Sequence, residues 1–173
     1  MEDTLRRAAR IRLVIFDVDG VLTDGSLYLS DSGEEMKAFN TQDGQGMKML
    51  QSSGVMLAII TGRSSRCVEL RAENLGISLL YQGASDKLAV YRELIASLGL
   101  EPEETAYMGD DLVDLPVMRR CGLAFAVPDS PDIVRQHAHY VTKKRGGQGA
   151  VREACEFLMR MQGRYDDQIA GYW

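Results

Sequence analysis

Five aspartates stand where apolar runs end. Asp17 and Asp19 follow the run Ile11 to Phe16, and Asp110, Asp111 and Asp114 follow Thr105 to Met108. Carboxylates brought together raise one another's pKa unless a cation neutralises them, so the grouping implies a hard divalent metal with oxygen ligands. Mg²⁺ suits the chain better than zinc, because its only two histidines, His137 and His139, are far in sequence from the aspartates. That scarcity also leaves little support for a Ser-His-Asp or Cys-His triad.

Asp17 and Asp19 are separated by two positions, so persisting strand geometry would point both side chains the same way, while Gly20 lets the backbone turn aside. One carboxylate can then serve as metal ligand and nucleophile and its neighbour as an acid over the leaving group. Thr61 and Gly62 close another apolar run, Val55 to Ile60. Thr61 offers a hydroxyl and a backbone N–H to a phosphate oxygen, and Gly62 permits close approach. Lys87, at the start of a helical pattern whose free N–H groups already favour an anion, can neutralise both a phosphoryl group and an aspartate. Each feature is commonplace alone; their order, each at a strand end or helix start, makes the pattern specific.

The elements that must position these residues alternate. Apolar runs at 11–16, 55–60, 78–81, 105–108 and 123–127 predict strands, and between them 45–53, 65–75, 87–98 and 112–120 carry helical patterns. In the third helix Leu88, Tyr91, Leu94, Ile95 and Leu98 recur at spacings of three and four, the period of a helix with one face on a sheet. Ser64 or Ser65 can cap the second helix, and Gly76 and Gly99 suit the ends of the second and third. The alternation predicts an α/β fold, a Rossmann-like three-layer sandwich with a mostly parallel sheet and ligands at the carboxyl ends of the strands.

One segment breaks the alternation: 27–30, the turn 31–33 and 34–40 read as a β-hairpin inserted after the first strand, too small to be a cap domain. A hairpin is marginal alone, so its apolar side, with Leu27 and Leu29, is expected to rest on the domain or on another subunit. Beyond the fifth strand the sequence predicts a short helix at 131–136, an edge strand at 139–142, a basic, glycine-rich loop at 143–149 and a helix at 150–161. The tail from Gly163 to Trp173 is mostly polar.

A chain of 173 residues, 45% hydrophobic and 26% charged, is expected to form one domain over 1–173. Its net charge of −5 and the lack of a basic stretch longer than Lys143 to Arg145 exclude a nucleic-acid partner. No apolar run approaches the ~20 residues that span a bilayer, and Met1 to Arg12 lacks a signal peptide's apolar segment, so no membrane partner is expected. Three widely spaced cysteines, Cys67, Cys121 and Cys155, argue for a reducing compartment and a cytoplasmic protein.

The chain resembles the haloacid dehalogenase superfamily of phosphatases, whose four motifs match Asp17-Val18-Asp19-Gly20, Thr61-Gly62, Lys87 and Gly109 to Asp114, across Ile11 to about Val127. The resemblance implies Asp17 as nucleophile, Asp19 as general acid and base, and Thr61, Gly62 and Lys87 as phosphate binders. It implies Mg²⁺ held by Asp17, the Asp19 carbonyl and Asp110, with Asp111 and Asp114 in support, and hydrolysis through an aspartyl-phosphate. Within the superfamily Leu22 to Gly25, the hairpin, Phe39-Asn40, Asp43-Gly44, Gly62 to Ser65 and Gly146 to Glu153 resemble the capless 3-deoxy-D-manno-octulosonate 8-phosphate phosphatases of lipopolysaccharide synthesis. That resemblance implies a sugar-acid phosphate substrate and a homotetramer whose hairpins pack around a central axis. Arg63, just past Thr61, then suits the substrate carboxylate, since its planar fork binds bidentately. Phosphatases of nine-carbon sialic or deaminated sialic acid 9-phosphates share these motifs and are the alternative. A non-catalytic regulatory or scaffold subunit of the same fold is a further one, against which the presence of both Asp17 and Asp19 argues.

Overall fold

The computed structural model describes residues 2–173; Met1, the first residue of the charged N-terminal stretch, lies outside them. Six strands form one sheet in the order β5-β4-β1-β6-β7-β8, where β1 is Leu13–Phe16, β4 Met56–Ile60, β5 Leu79–Tyr81, β6 Thr105–Gly109, β7 Leu123–Ala126 and β8 Tyr140–Val141. Every neighbouring pair is parallel. Alternate residues of β1 feed two cores: Val14 and Phe16 face one layer of helices, Leu13 and Ile15 the other. Burial on both faces is why these strands read as continuous apolar runs.

The first layer holds α2 (Thr41–Ser52), α3 (Arg66–Leu75) and α7 (Ala150–Met161); the second holds α4 (Lys87–Ser97), α5 (Leu115–Met118) and α6 (Asp132–His137). From β1 the chain runs outward through β4 and β5, then returns to pair β6 with the other side of β1. That reversal opens a crevice at the carboxyl ends of β1 and β6, where Asp17 and Asp110 emerge.

Several elements differ from expectation. Helix α2 begins at Thr41, ahead of the predicted 45, because the Asn40 side chain accepts the N–H groups of Gln42 and Asp43. Its glycines are a packing device: a Cβ on Gly46 would come within 3.0 Å of the Arg152 Cα on α7. The helix predicted over 112–120 is a 3₁₀ turn at Leu112–Asp114 followed by α5. Asp111 and Asp114 cap each other across that turn, and Pro116, which lacks an N–H, is tolerated only in the first turn of the helix that follows. Helices α1 (Glu2–Ala8) and α8 (Tyr165–Ala170) were unexpected; one or two turns of largely polar sequence carry no readable period, yet Ala8 joins the core and Tyr165 and Ile169 pack against it.

Between β1 and α2 stands the hairpin of β2 (Tyr28–Leu29) and β3 (Glu35–Met36), with Tyr28 opposite Met36 and Leu29 opposite Glu35. Its apolar side does not rest on the domain: Leu27, Leu29 and Met36 are 49%, 63% and 61% exposed. Of the flanking apolar residues, Phe39 packs on the core. No helix among the described residues is long and apolar enough to cross a membrane.

Candidate active site

The ladder between β1 and β6 continues one residue beyond β1, where the Asp17 N–H donates to the Met108 carbonyl at 3.0 Å. This fixes the Asp17 backbone and sends its buried side chain toward Lys87 and the aspartates after β6. Lys87, the first residue of α4, places Nζ 2.8 Å from Asp17 Oδ2 and 2.7 Å from Asp114 Oδ1. Burial works against the ammonium, but the two carboxylates outweigh it and hold its pKa above the ordinary value.

Asp17, Asp110 and Asp114 each offer a carboxylate oxygen, all within 4.8 Å of one another. Their roles differ. Asp114 is fully subscribed: Oδ1 accepts from Lys87 and from the Tyr107 hydroxyl, and Oδ2 from the Asp110 and Asp111 N–H groups at 3.0 and 3.1 Å. It orients the loop and has no lone pair to spare. The Asp110 carboxylate receives no hydrogen bond or ion pair among the described residues. Burial, reinforced by the charges of Asp17 and Asp114, pushes Asp110 up to about 7, and burial with the Asp114 charge pushes Asp17 up to about 6. The single Lys87 ammonium does not balance three carboxylates. All-oxygen donors, one of them unpartnered, fit a hard divalent ion such as Mg²⁺. Gly20 is required beside them, since at its φ of 88° a Cβ would overlap the Asp110 carboxylate.

A cavity of about 420 Å³ opens over this cluster, and Asp17, Asp19, Thr61, Gly62, Arg63, Lys87, Asp110 and Asp111 all line it. One expectation fails here. The Thr61 N–H donates to the Tyr81 carbonyl at 2.9 Å in the strand ladder, leaving only the hydroxyl for an incoming oxygen. The adjacent Gly62 N–H meets no acceptor among the described residues and is the amide available to a phosphate. Asp111 turns its carboxylate to the Leu112 N–H at 2.7 Å and acts as a cap.

Asp17 and Asp19 do not share partners, as the spacing alone would have suggested. Asp19 pairs with Lys37 of the hairpin and lies 3.9 Å from Arg63 Nε. Its carboxylate is outside the acidic cluster, so only its backbone carbonyl is offered to a metal in the assignment made above. Arg63 also reaches Glu35 Oε2 at 3.4 Å. Lys37 and Glu35 were missed by the sequence reading, although Glu35 and Lys37 share one face of a period-two strand. The Lys37 hydrogen bond holds Glu35 below its usual pKa, while Asp19 and Glu35 overcome burial to hold Lys37 above its own.

The basic loop forms a different wall. Glu153 accepts the Lys143 and Lys144 N–H groups, and Asp43 accepts those of Gly149 and Arg152 at 3.3 and 2.7 Å, pinning the loop at both ends. Arg145 pairs with Asp129 at 3.2 Å and lines a second cavity, of about 400 Å³, which meets the first at Gly25 and Asp110.

A strand-end nucleophile candidate, a Thr-Gly pair, a helix-start lysine and an acidic loop at the switch point of a parallel sheet define a haloacid dehalogenase-like hydrolase, and the family model of that description matches residues 80–153. The chain is 51% identical over 165 residues to the 3-deoxy-D-manno-octulosonate 8-phosphate phosphatase of Yersinia pestis, covering 95% of this chain and 88% of that one. The phosphatase of that name from Moraxella catarrhalis, solved with magnesium ion, phosphate ion and KDO, superposes with a TM-score of 0.98 at 44% identity, covering 100% of this chain and 99% of its own. A probable phosphatase of the yrbi family from Pseudomonas syringae matches at TM-score 0.98 and 52% identity over 99% and 98% of the two chains. The chain belongs to the 3-deoxy-D-manno-octulosonate 8-phosphate phosphatase family.

Proposed function

We propose that this chain is a Mg²⁺-dependent phosphomonoesterase that hydrolyses 3-deoxy-D-manno-octulosonate 8-phosphate to 3-deoxy-D-manno-octulosonate and inorganic phosphate, a step of lipopolysaccharide synthesis. The observation that carries the chemistry is the separation of two neighbouring carboxylates: Asp17 sits with Lys87 in the acidic cluster, and Asp19 sits apart with Lys37 and Arg63. Mg²⁺ would be held by Asp17, Asp110 and the Asp19 carbonyl, and it supplies charge neutralisation that lets an anionic nucleophile approach an anionic phosphoryl group. Lys87, the Thr61 hydroxyl and the Gly62 N–H hold the phosphoryl oxygens. A carboxylate oxygen of Asp17 attacks phosphorus as the bond to the sugar O8 breaks, and Asp19 gives that oxygen its proton. Water then attacks the phosphorus of the aspartyl-phosphate, Asp19 takes the water's proton, and Asp17 leaves as carboxylate with phosphate released. Arg63, at the rim, takes the substrate carboxylate.

The exposed apolar side of the hairpin supports assembly into a homotetramer, which would also close a site that has no cap. The three cysteines, none of them paired, support a cytoplasmic location. The test is turnover of eight-carbon and nine-carbon sugar-acid phosphates beside simple hexose phosphates, with Mg²⁺ and with EDTA. Highest kcat/KM on the eight-carbon acid, loss with EDTA and loss in Asp17→Asn are expected. No turnover across the panel, or undiminished activity of Asp17→Asn, refutes the reading.

A further inference from the structure

The hairpin carries a side chain out of keeping with the rest of it. Tyr28, Leu29 and Met36 are 46–63% exposed, whereas the Lys37 side chain, one residue past β3, is 1% exposed. Turning a lysine inward costs rotamer entropy besides the desolvation of its ammonium. Two carboxylates offset this: Lys37 Nζ pairs with Asp19 and stands 2.7 Å from Glu35 Oε1. Glu35 is itself steadied from the domain, by Arg63 at 3.4 Å and by the Cys67 thiol, 3.5 Å from its carbonyl. A hairpin with two residues per strand has little stability of its own, so these polar contacts fix its inner edge.

The consequence falls on Asp19. It is followed by Gly20 at a φ of 88°, and its carboxylate has no hydrogen-bond partner other than Lys37 among the described residues. An ammonium on one oxygen, Oδ1, leaves Oδ2 on the Arg63 side, in a residue that lines the cavity. We propose that Lys37 is a positioning residue for proton transfer: braced by Glu35, it holds the Asp19 carboxyl group by one oxygen so that the other, which carries the proton, is presented to the leaving-group oxygen. The hairpin thereby serves the chemistry of its own chain as well as offering a face to a neighbour. This rests on the reading of Asp19 as the general acid.

Leaving-group dependence tests it. A sugar alkoxide is a strong base and must gain a proton as its bond to phosphorus breaks; p-nitrophenolate departs as a stable anion. Because kcat/KM covers steps only through release of the first product, it isolates this proton transfer from the later attack of water. A positioned general acid contributes about 10²–10⁴-fold and a misplacement of about 1 Å can cost about 10²-fold. Lys37→Met is expected to lower kcat/KM on the sugar-acid phosphate about 10²-fold and on p-nitrophenyl phosphate about threefold, so the ratio of the two falls at least tenfold. The double variant Glu35→Gln with Lys37→Met removes one charge of each sign and is expected to show the same fall, which covers the case in which Lys37→Met alone leaves the hairpin misfolded. Equal loss on both substrates in the double variant gives Lys37 a merely structural role and overturns the proposal. Asp19→Asn run in parallel separates the two ideas. A fall in its ratio with none in the Lys37 variants sinks Lys37 alone, and no fall in Asp19→Asn overturns both.

Discussion

Replacing Lys87 by methionine tests the electrostatic logic of the site, because the two side chains are close in volume and only the charge is lost. The Lys87, Asp17 and Asp114 side chains are 5%, 8% and 0% exposed, so solvent does not screen the pairing. Removing one partner of a buried ion pair costs about 3–5 kcal/mol. Three clustered carboxylates would be left without a protein cation, which places this case at the upper end. The N-terminus of α4 works the other way, since a cation there is disfavoured by about 0.3–1 kcal/mol, too little to reverse the sign. In EDTA at pH 7.5 the variant is expected to lose about 4 kcal/mol, a large share of the roughly 5–15 kcal/mol of a typical domain. Metal at 100 times its Kd contributes about 2.7 kcal/mol, and Mg²⁺ should stabilise the variant more than the wild type because it enters a more negative site. Urea unfolding with EDTA and with Mg²⁺ measures both quantities. A loss below about 1 kcal/mol in EDTA, or the same Mg²⁺ stabilisation in both proteins, would show that the ammonium does not neutralise this cluster. Activity should also fall about tenfold to a hundredfold, the worth of one charge-assisted hydrogen bond of about 1.5–3 kcal/mol to the phosphoryl group.

Arg63→Ala should lower kcat/KM for the sugar-acid substrate by about tenfold to a hundredfold while leaving a small carboxylate-free phosphate nearly unchanged; equal losses would move Arg63 to the phosphate or the fold. Asp43→Ala should cost about 2–4 kcal/mol in chemical denaturation, since Gly149 has no side-chain cap of its own and two N–H groups at the start of α7 would lose their acceptor; a cost below about 0.5 kcal/mol would refute the clamp. Chelation should matter more at high pH. With Asp17 raised from 3.8 to about 6 and Asp110 from 3.8 to about 7, the metal-free folded chain binds more protons than the unfolded chain between these values, so its stability falls as pH rises through that window. Mg²⁺ displaces those protons, and melting temperatures should show a larger Mg²⁺ effect at pH 8 than at pH 5, with the reverse order counting against the cluster as the metal site.

The central strands and the aspartates at their ends were legible in the sequence because burial on both faces leaves an unbroken apolar run whose carboxyl end is plain. Helices α4 and α7 were legible because one apolar face repeats every three or four residues. The short helices α1 and α8 were not, since one or two turns do not establish a period. Nor was the true start of α2, where Gly44 looks like a breaker until the close approach of Arg71 and Leu75 of α3 gives it a reason. Within the site, residue types and their order already selected phosphoryl transfer over hydrolysis by a serine or zinc centre. What only the tertiary structure decided is which atom of each residue is free to act. The Thr61 N–H is taken by a neighbouring strand, Asp114 spends all its lone pairs on Lys87, Tyr107 and the loop, and Asp19 is drawn from Asp17 toward Lys37. Sequence spacing orders residues along one strand, whereas donors and acceptors are satisfied by partners from other elements, 27 positions away for Lys87 and Asp114 and 109 for Arg152 and Asp43. Those partners meet only when the sheet closes.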